Sequence, residues 1–207
     1  DRLCIVELGR VNEKAPHFSK DDANKKTKLA NILRVKDKLA SHPDVESACV
    51  LGWAYINSQG NASSEISIDS TESFYVHRVP AFIDQQFFET YGIKSAPGSP
   101  SPEELSKTAT GKNGYIITRD LAELLFPGEN AVGKNMLTIH QGDTLYQPIH
   151  GVVEPITPYI MRGNDPLMFT VSPIKNSKYT PNILIRIKPE VDMKIFVGKL
   201  RPWMHKE

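Results

Sequence analysis

Gly128-Glu129-Asn130-Ala131-Val132-Gly133-Lys134 sets two glycines and a lysine at the spacing of a phosphate-binding loop. Such a loop wraps backbone N–H groups around an anion, adds a lysine ammonium, and ligates magnesium through a Ser or Thr at the eighth position. The eighth residue here is Asn135. The loop also needs a strand before its first glycine and a helix opening at its lysine. This sequence has the reverse order. The helix-forming run Leu121 to Phe126 comes first, Pro127 and Gly128 stop it, and Met136 to Ile139 reads as a strand. The segment is therefore read as a turn joining a helix to a strand, with no bound nucleotide.

Other residues with chemical potential receive equally plain readings. The six histidines are His17, His42, His77, His140, His150 and His205. No pair of them has helical i, i+3 or i, i+4 spacing, and none joins a cysteine in a zinc pattern. His140 and His150 fall on strands of one expected hairpin and could approach each other, but no carboxylate or thiol accompanies them; no metal site is expected. Cys4 and Cys49 fall in the first two predicted strands. If those strands are neighbours a disulfide is conceivable, though buried free cysteines are the simpler expectation. No G-x-S-x-G elbow occurs. Glu103 and Glu104 are adjacent, do not converge on one substrate atom, and fit the first turn of a helix capped by Ser101. No set of residues fills the roles of nucleophile, base and stabiliser, so neither catalysis nor a cofactor is expected.

Two surfaces remain. The run from Lys20 to Lys38 is rich in lysine, but the whole chain has 25 Lys plus Arg against 24 Asp plus Glu, a formal charge of +1. No aromatics interleave with the lysines for base stacking. A solvated helix face is expected there and a nucleic-acid surface is not, with contact to lipid head groups a weaker option. Phe82, Phe87, Phe88 and Tyr91 could line a pocket. Only Phe87 and Tyr91 share a helical face, so core packing is the simpler expectation.

These residues must be held by the following elements. Leu3 to Leu8 reads as a strand and Asp21 to Leu39 as a helix with Leu29, Ile32, Leu33 and Leu39 near one face. His42-Pro43 ends it, and Val45 to Ala54 is a second strand. This βαβ unit predicts parallel strands and a right-handed crossover. Asn57 to Asn61 is a turn. Glu65–Asp69 and Glu72–Val79 alternate as a hairpin. Ala81 to Tyr91 reads as a helix. Pro97 to Pro102 is a loop and the best subdomain boundary. The block from Tyr115 to Val153 reads as strand, helix and two strands. Leu167–Val171 and Asn182–Lys188 are further strands. Val191 to Leu200 is a helix with Ile195 and Leu200 inward, limited by Pro202. No apolar run of about 18 residues spans a bilayer.

The order strand, helix, LFPGENAVGK, two strands ending Ile149-His150-Gly151-Val152-Val153 resembles the periplasmic core domain of MacB-type, FtsX-like ABC transporter permeases. The upstream segment Val79 to Ile93, a strand with an aromatic pair and a Tyr-Gly-Ile step, is similar to that family as well. The resemblance implies a mixed α/β fold. A membrane-proximal, porter-like βαβ subdomain (1–95 and 161–207) would carry a smaller α/β subdomain (96–160) inserted in it. It implies a noncatalytic periplasmic domain between two membrane helices, which fits a chain starting at Asp1 as a fragment. Its partners would be a second permease copy and a cytoplasmic ATPase domain, with a periplasmic adaptor or substrate, and no nucleic acid. The fragment alone would be monomeric. Efflux or export and sensing, for instance of antimicrobial peptides, both stay open. A porter-like unit would need a strand after its last helix, so the sheet is expected to lack a strand or leave an edge open.

Overall fold

The computed structural model describes residues 2–6, 22–52, 62–69, 73–111, 114–140, 143–156, 166–174 and 182–204. Glu7 and Leu8, the loop with Pro16, His17, Lys20 and Asp21, Trp53 and Ala54, the turn Asn57–Asn61, Glu72 and His205 lie outside these residues.

The first half is built around β1 (Leu3–Val6), α1 (Asp22–Ala40), β2 (Val45–Gly52), β3 (Ala62–Ser67), β4 (Ser73–Ile83) and α2 (Phe87–Tyr91). The second half adds α3 (Pro102–Gly111), β5 (Gly114–Thr118), α4 (Arg119–Leu125), β6 (Asn135–His140), β7 (Asp143–Val153), β8 (Leu167–Pro173), β9 (Asn182–Ile187) and α5 (Met193–Met204). The nine strands form one mixed sheet in the order β1-β9-β2-β4-β3-β6-β7-β5-β8, and β8 returns to pair with β4. Six strands therefore close into a ring, β4-β3-β6-β7-β5-β8, and β2, β9 and β1 extend from it as a wing.

In the wing, β1 and β2 are parallel to each other, because each is antiparallel to β9. They are not neighbours, since β9 lies between them. The helical crossover brings the chain back one strand further on, and the last strand fills the gap. β1 is an edge, pairing among the described strands with β9 alone.

Three apolar clusters follow the alternation of these strands. On one face of the wing, Ile32 and Leu39 of α1 and Phe196 of α5 pack on Val45, Ala48, Val50, Ile183, Ile185 and Ile187. On the other, Cys49, Leu51 and Leu184 meet Phe87 and Phe88 of α2, Leu105 of α3, and Ile83, Ile116, Leu167 and Phe169 of the ring. A third cluster joins Ile66, Val76, Tyr115, Ile117, Met136 and Met168 of the ring to Leu121, Leu125 and Phe126 beside α4. Inside it the Tyr115 hydroxyl and the Thr138 hydroxyl share a buried hydrogen bond of 2.7 Å.

Lys94–Ala96 and Val152–Glu154 run side by side. The Ala96 N–H donates to the Val152 carbonyl (3.0 Å), and the Glu154 N–H donates to the Lys94 carbonyl (2.8 Å).

Two sequence expectations about elements are corrected here. Ala81 to Ile83 is the end of β4, not the start of a helix. β8 pairs in parallel with β4 as far as Ile83↔Pro173 and holds it extended. Only Phe87–Tyr91 is helical. Pro202 does not limit α5, which continues to Met204. Pro202 and Gly198, four residues earlier, are both exposed, so the carbonyl that proline leaves without an N–H partner faces water.

Candidate functional site

The glycine–lysine turn is not arranged as an anion cradle, because five of its seven backbone N–H groups have internal partners. The Glu129 N–H donates to the Phe126 carbonyl (3.0 Å), Gly133 to Ile149 (2.9 Å) and Lys134 to Ala131 (3.1 Å). The Gly128 N–H donates to Glu123 Oε1 (3.2 Å) and Val132 to Asn130 Oδ1 (3.0 Å). The Lys134 ammonium pairs with Glu129 and lies 4.5 Å from the centre of the Phe126 ring. Gly128 and Gly133 have φ of 70° and 85°, left-handed conformations that let the chain reverse between α4 and β6. The lysine thus closes the turn upon itself, and β6 follows where a phosphate loop would open a helix.

The other candidates are dispersed. His140 pairs with Asp143 at the tip of the β6–β7 hairpin. His150 is seven residues further along β7, roughly 23 Å away at 3.3 Å per residue. The two histidines therefore cannot share a metal, contrary to the approach that the hairpin reading allowed. Cys4 and Cys49 are free. With β9 between their strands they stand roughly 10 Å apart, beyond the span of a disulfide, and they join different clusters on opposite faces of the wing. Burial raises both thiols above their ordinary range, Cys49 well above it, with the nearby Asp84 charge adding to burial there. They are poor nucleophiles.

Glu103 pairs with Lys107 at 2.7 Å. Glu104 accepts from the Ser101 N–H and hydroxyl, both at 2.8 Å, while the Ser101 hydroxyl accepts from the Glu104 N–H (3.3 Å). That is a capping box with Pro102 at the first helical position. Phe87 and Phe88 are buried edge to face (5.1 Å between centres), and Phe88 meets Phe169 of β8 in the same way at 5.9 Å. Tyr91 packs against Phe87, and burial pushes its phenol up to about 12. On α1, Lys36 pairs with Asp37 at 3.2 Å and approaches Asp84 at 3.9 Å.

What the fold does bring together is the two ends of the described chain. Arg2 Nη1 donates to the Lys188 carbonyl (2.9 Å) and the Val191 carbonyl (2.8 Å), just ahead of α5. The Ile187 N–H donates to the Arg2 carbonyl (2.9 Å) and the Lys188 N–H to the Asp44 carbonyl (3.0 Å). The starts of β1 and β2, the end of β9 and the start of α5 therefore meet at one end of the wing. The far end of α5 reaches the end of α1, beside the turn that leads into β2. Lys38 Nζ donates to the Met204 carbonyl (3.5 Å) and lies 5.4 Å from the centre of the Trp203 ring.

His42, at the turn between α1 and β2, organises this contact. Its ring meets Phe196 and Trp203 edge to face, at 5.3 and 4.7 Å between centres. Its Nδ1 accepts the Asp44 N–H at 3.1 Å. Phe196 and Trp203 are two helical turns apart on one face of α5, so the helix lies across the end of the wing and is gripped at both ends. Ile195, expected to face inward, is 56% exposed; the grip on Phe196 and Trp203 rotates it outward.

A second brace joins the wing to the ring. The carboxylate of Asp84, in the turn after β4, accepts the Val50 N–H of β2 (2.8 Å) and the Gln86 N–H (3.1 Å). Arg186 of β9 donates from Nε to the Thr90 carbonyl at the end of α2 (2.8 Å). Sequence reasoning missed Arg2, Asp84, Arg186 and Trp203. Each acts through a partner far away in the chain. Only His42 left a local signal, as part of the helix stop His42-Pro43.

The same fold occurs in solved structures. The chain matches the periplasmic region of MacB from Actinobacillus actinomycetemcomitans at a TM-score of 0.50 and 14% identity, over 96% of this chain and 79% of that one. It matches a domain assigned to a permease protein from Porphyromonas gingivalis at 0.51 and 17%, over 80% and 72%. No family model matches the chain, and no curated protein matches it by sequence. At these identities the likeness is one of fold, and the fold is the mixed α/β architecture of those two domains.

Proposed function

We propose that this chain is the noncatalytic periplasmic domain of a MacB/FtsX-like ABC transporter permease, and that it passes ATP-driven movement across the inner membrane in export or efflux. One observation carries the reading beyond fold likeness: both ends of the described chain sit at one end of the wing, joined through Arg2, Asp44, Lys38, His42 and Trp203. A domain set between two membrane helices needs that arrangement. Force applied at either attachment enters β1 or α5 and passes into a close-packed cluster, and such interiors transmit strain with little loss.

The stretches 1–95 and 161–207 form the force-bearing, membrane-proximal part in this reading. The inserted stretch 96–160 is the distal part that meets an adaptor or substrate. The paired strands of chain at Lys94–Ala96 and Val152–Glu154 support that division. Ring strands β3, β4 and β8 then link the two parts, with Asp84 and Arg186 bracing the link. The partners are a second permease copy and a cytoplasmic ATPase domain.

Hydrogen exchange on the intact transporter in membranes, with and without ATP, tests the transmission. The expected result is altered exchange in β1, α5 and the α1–β2 turn, with the buried β9 amides unchanged. Exchange insensitive to ATP throughout residues 1–207 would contradict the role.

A further inference from the structure

α5 differs from the other helices in what it shows to solvent. Its exposed residues are Lys194, Ile195, Val197, Gly198, Lys199 and Pro202. These are cations, apolar side chains and a glycine, with no acidic and no neutral polar residue among them. The helix sequence, MKIFVGKLRPWM, adds Arg201 and contains no acid. α3, by contrast, exposes Glu103 and Glu104 with Lys107, and α4 exposes Glu123 with Arg119. The nearest acid to α5, Asp192, is engaged at its N-terminus, where Oδ1 accepts the Lys194 N–H (2.8 Å) and the Ile195 N–H (3.1 Å).

Ile195 and Val197 are 56% and 55% exposed. Their outward position is enforced, because Phe196 between them is held against His42. Trp203 faces inward with Phe196, between His42 and the Lys38 ammonium, and takes no part in this surface.

We infer that the outward face of α5 lies on an anionic lipid bilayer. The apolar side chains would enter the head-group boundary while the lysines meet phosphate. An exposed helix surface that combines aliphatic side chains with lysines suits a head-group boundary, where the apolar groups are taken in and the lysine stems keep their charge at the surface. The charge selects the occupant: beyond Asp192 at its start, the exposed charged side chains of α5 are lysines, and an anionic surface complements them. The inference stands on the chemistry of α5. The permease reading adds only that a membrane is close to both chain ends, and that reading is judged separately by the sequence flanking these residues.

Flotation of the 207-residue chain with vesicles is the test. One set is phosphatidylcholine with about a third phosphatidylglycerol; the other is phosphatidylcholine alone. The expected result is retention on the anionic vesicles at 50 mM salt, several-fold above the neutral ones and falling steeply by 300 mM. Lys194→Glu with Lys199→Glu lowers retention at least about tenfold, since each surface lysine contributes about fivefold. Ile195→Ser with Val197→Ser lowers it at fixed charge. All four side chains are exposed, so the melting temperature stays close to that of the parent. Tyr75→Ser with Tyr146→Ser removes two exposed aromatics of the ring, 76% and 60% exposed, and leaves retention unchanged. Absent retention, equal retention on both vesicles, unchanged binding by the α5 variants, or an equal loss on changing the two tyrosines would each overturn the inference.

Discussion

Lys134 shows how context decides the meaning of a residue. A lysine after two glycines at phosphate-loop spacing is placed by its neighbours as a clasp: Glu129 takes its charge, the Phe126 ring lies against its ammonium, and five nearby amides already have acceptors. Isothermal titration with Mg-ATP should give the same null heat for the parent and for Lys134→Ala. Lys134→Ala should cost about 1 kcal/mol or less, because the pair is partly exposed. Gly133→Ala should cost about 1–2 kcal/mol, since an L side chain is strained at that φ. Saturable ATP binding lost in Lys134→Ala would contradict the turn's assignment.

Asp84 carries the opposite lesson, a residue of unremarkable sequence context holding two bodies together. Burial raises its carboxyl above the ordinary value, outweighing the Val50 and Gln86 N–H bonds and the Lys36 charge, which pull it down. A raised folded pKa means that ionisation is penalised in the folded state. The penalty is fully present above the folded pKa and fades as pH falls towards the unfolded value of ~3.9. Asp84→Asn keeps an acceptor and removes the penalty. In urea melts its stability relative to the parent should therefore be better at pH 7 than at pH 4. Asp84→Ala should cost about 2–4 kcal/mol, because the Val50 and Gln86 amides lose their acceptor. Relative stabilities of Asp84→Asn that improve towards pH 4 would contradict this account. Glu104 runs the other way: its bonds from Ser101 lower its carboxyl, so its contribution is present above the unfolded value and lost as pH falls through the folded one. It is common to the parent and the Asp84 variants and cancels in the comparison.

At the scale of elements, the parts legible in the sequence are those specified locally. The capping box of α3, the apolar face of α1, the β3–β4 hairpin and the stop of α4 at Pro127-Gly128 each need only neighbours a few residues away. The parts that were not legible depend on distant strands. β9 inserts between β1 and β2, so βαβ reasoning gave the direction of the pair but not its adjacency. β8 pairs with both β4 and β5 and closes the ring, and in doing so holds Ala81 to Ile83 extended where their spacing suggested a helix. The rotation of α5 was hidden for the same reason, since its face is chosen by His42 and not by its own pattern. The site shared this fate: the turn could be judged from its order in sequence, whereas the junction of chain ends could not be seen before folding. Phe196 is the anchor of that junction and is 1% exposed. Phe196→Ala should cost about 3–5 kcal/mol in urea unfolding and should release α5 first, seen as fast amide exchange in residues 193–204 while β9 stays protected. Slow exchange throughout α5 in this variant would show that Phe196 does not hold it.

At the scale of the whole molecule, the architecture is a closed ring braced to an open wing, with both ends of the described chain at the foot of the wing. The edge left by β1 and the outward face of α5 lie on that part. In the proposed role, force would enter at the foot of the wing and partners would meet the far side of the ring. The full reading frame that contains residues 1–207 tests the account most directly. The account predicts one apolar helix of about 20 residues immediately before Asp1 and three after Glu207. Polar, soluble sequence on both sides would contradict it.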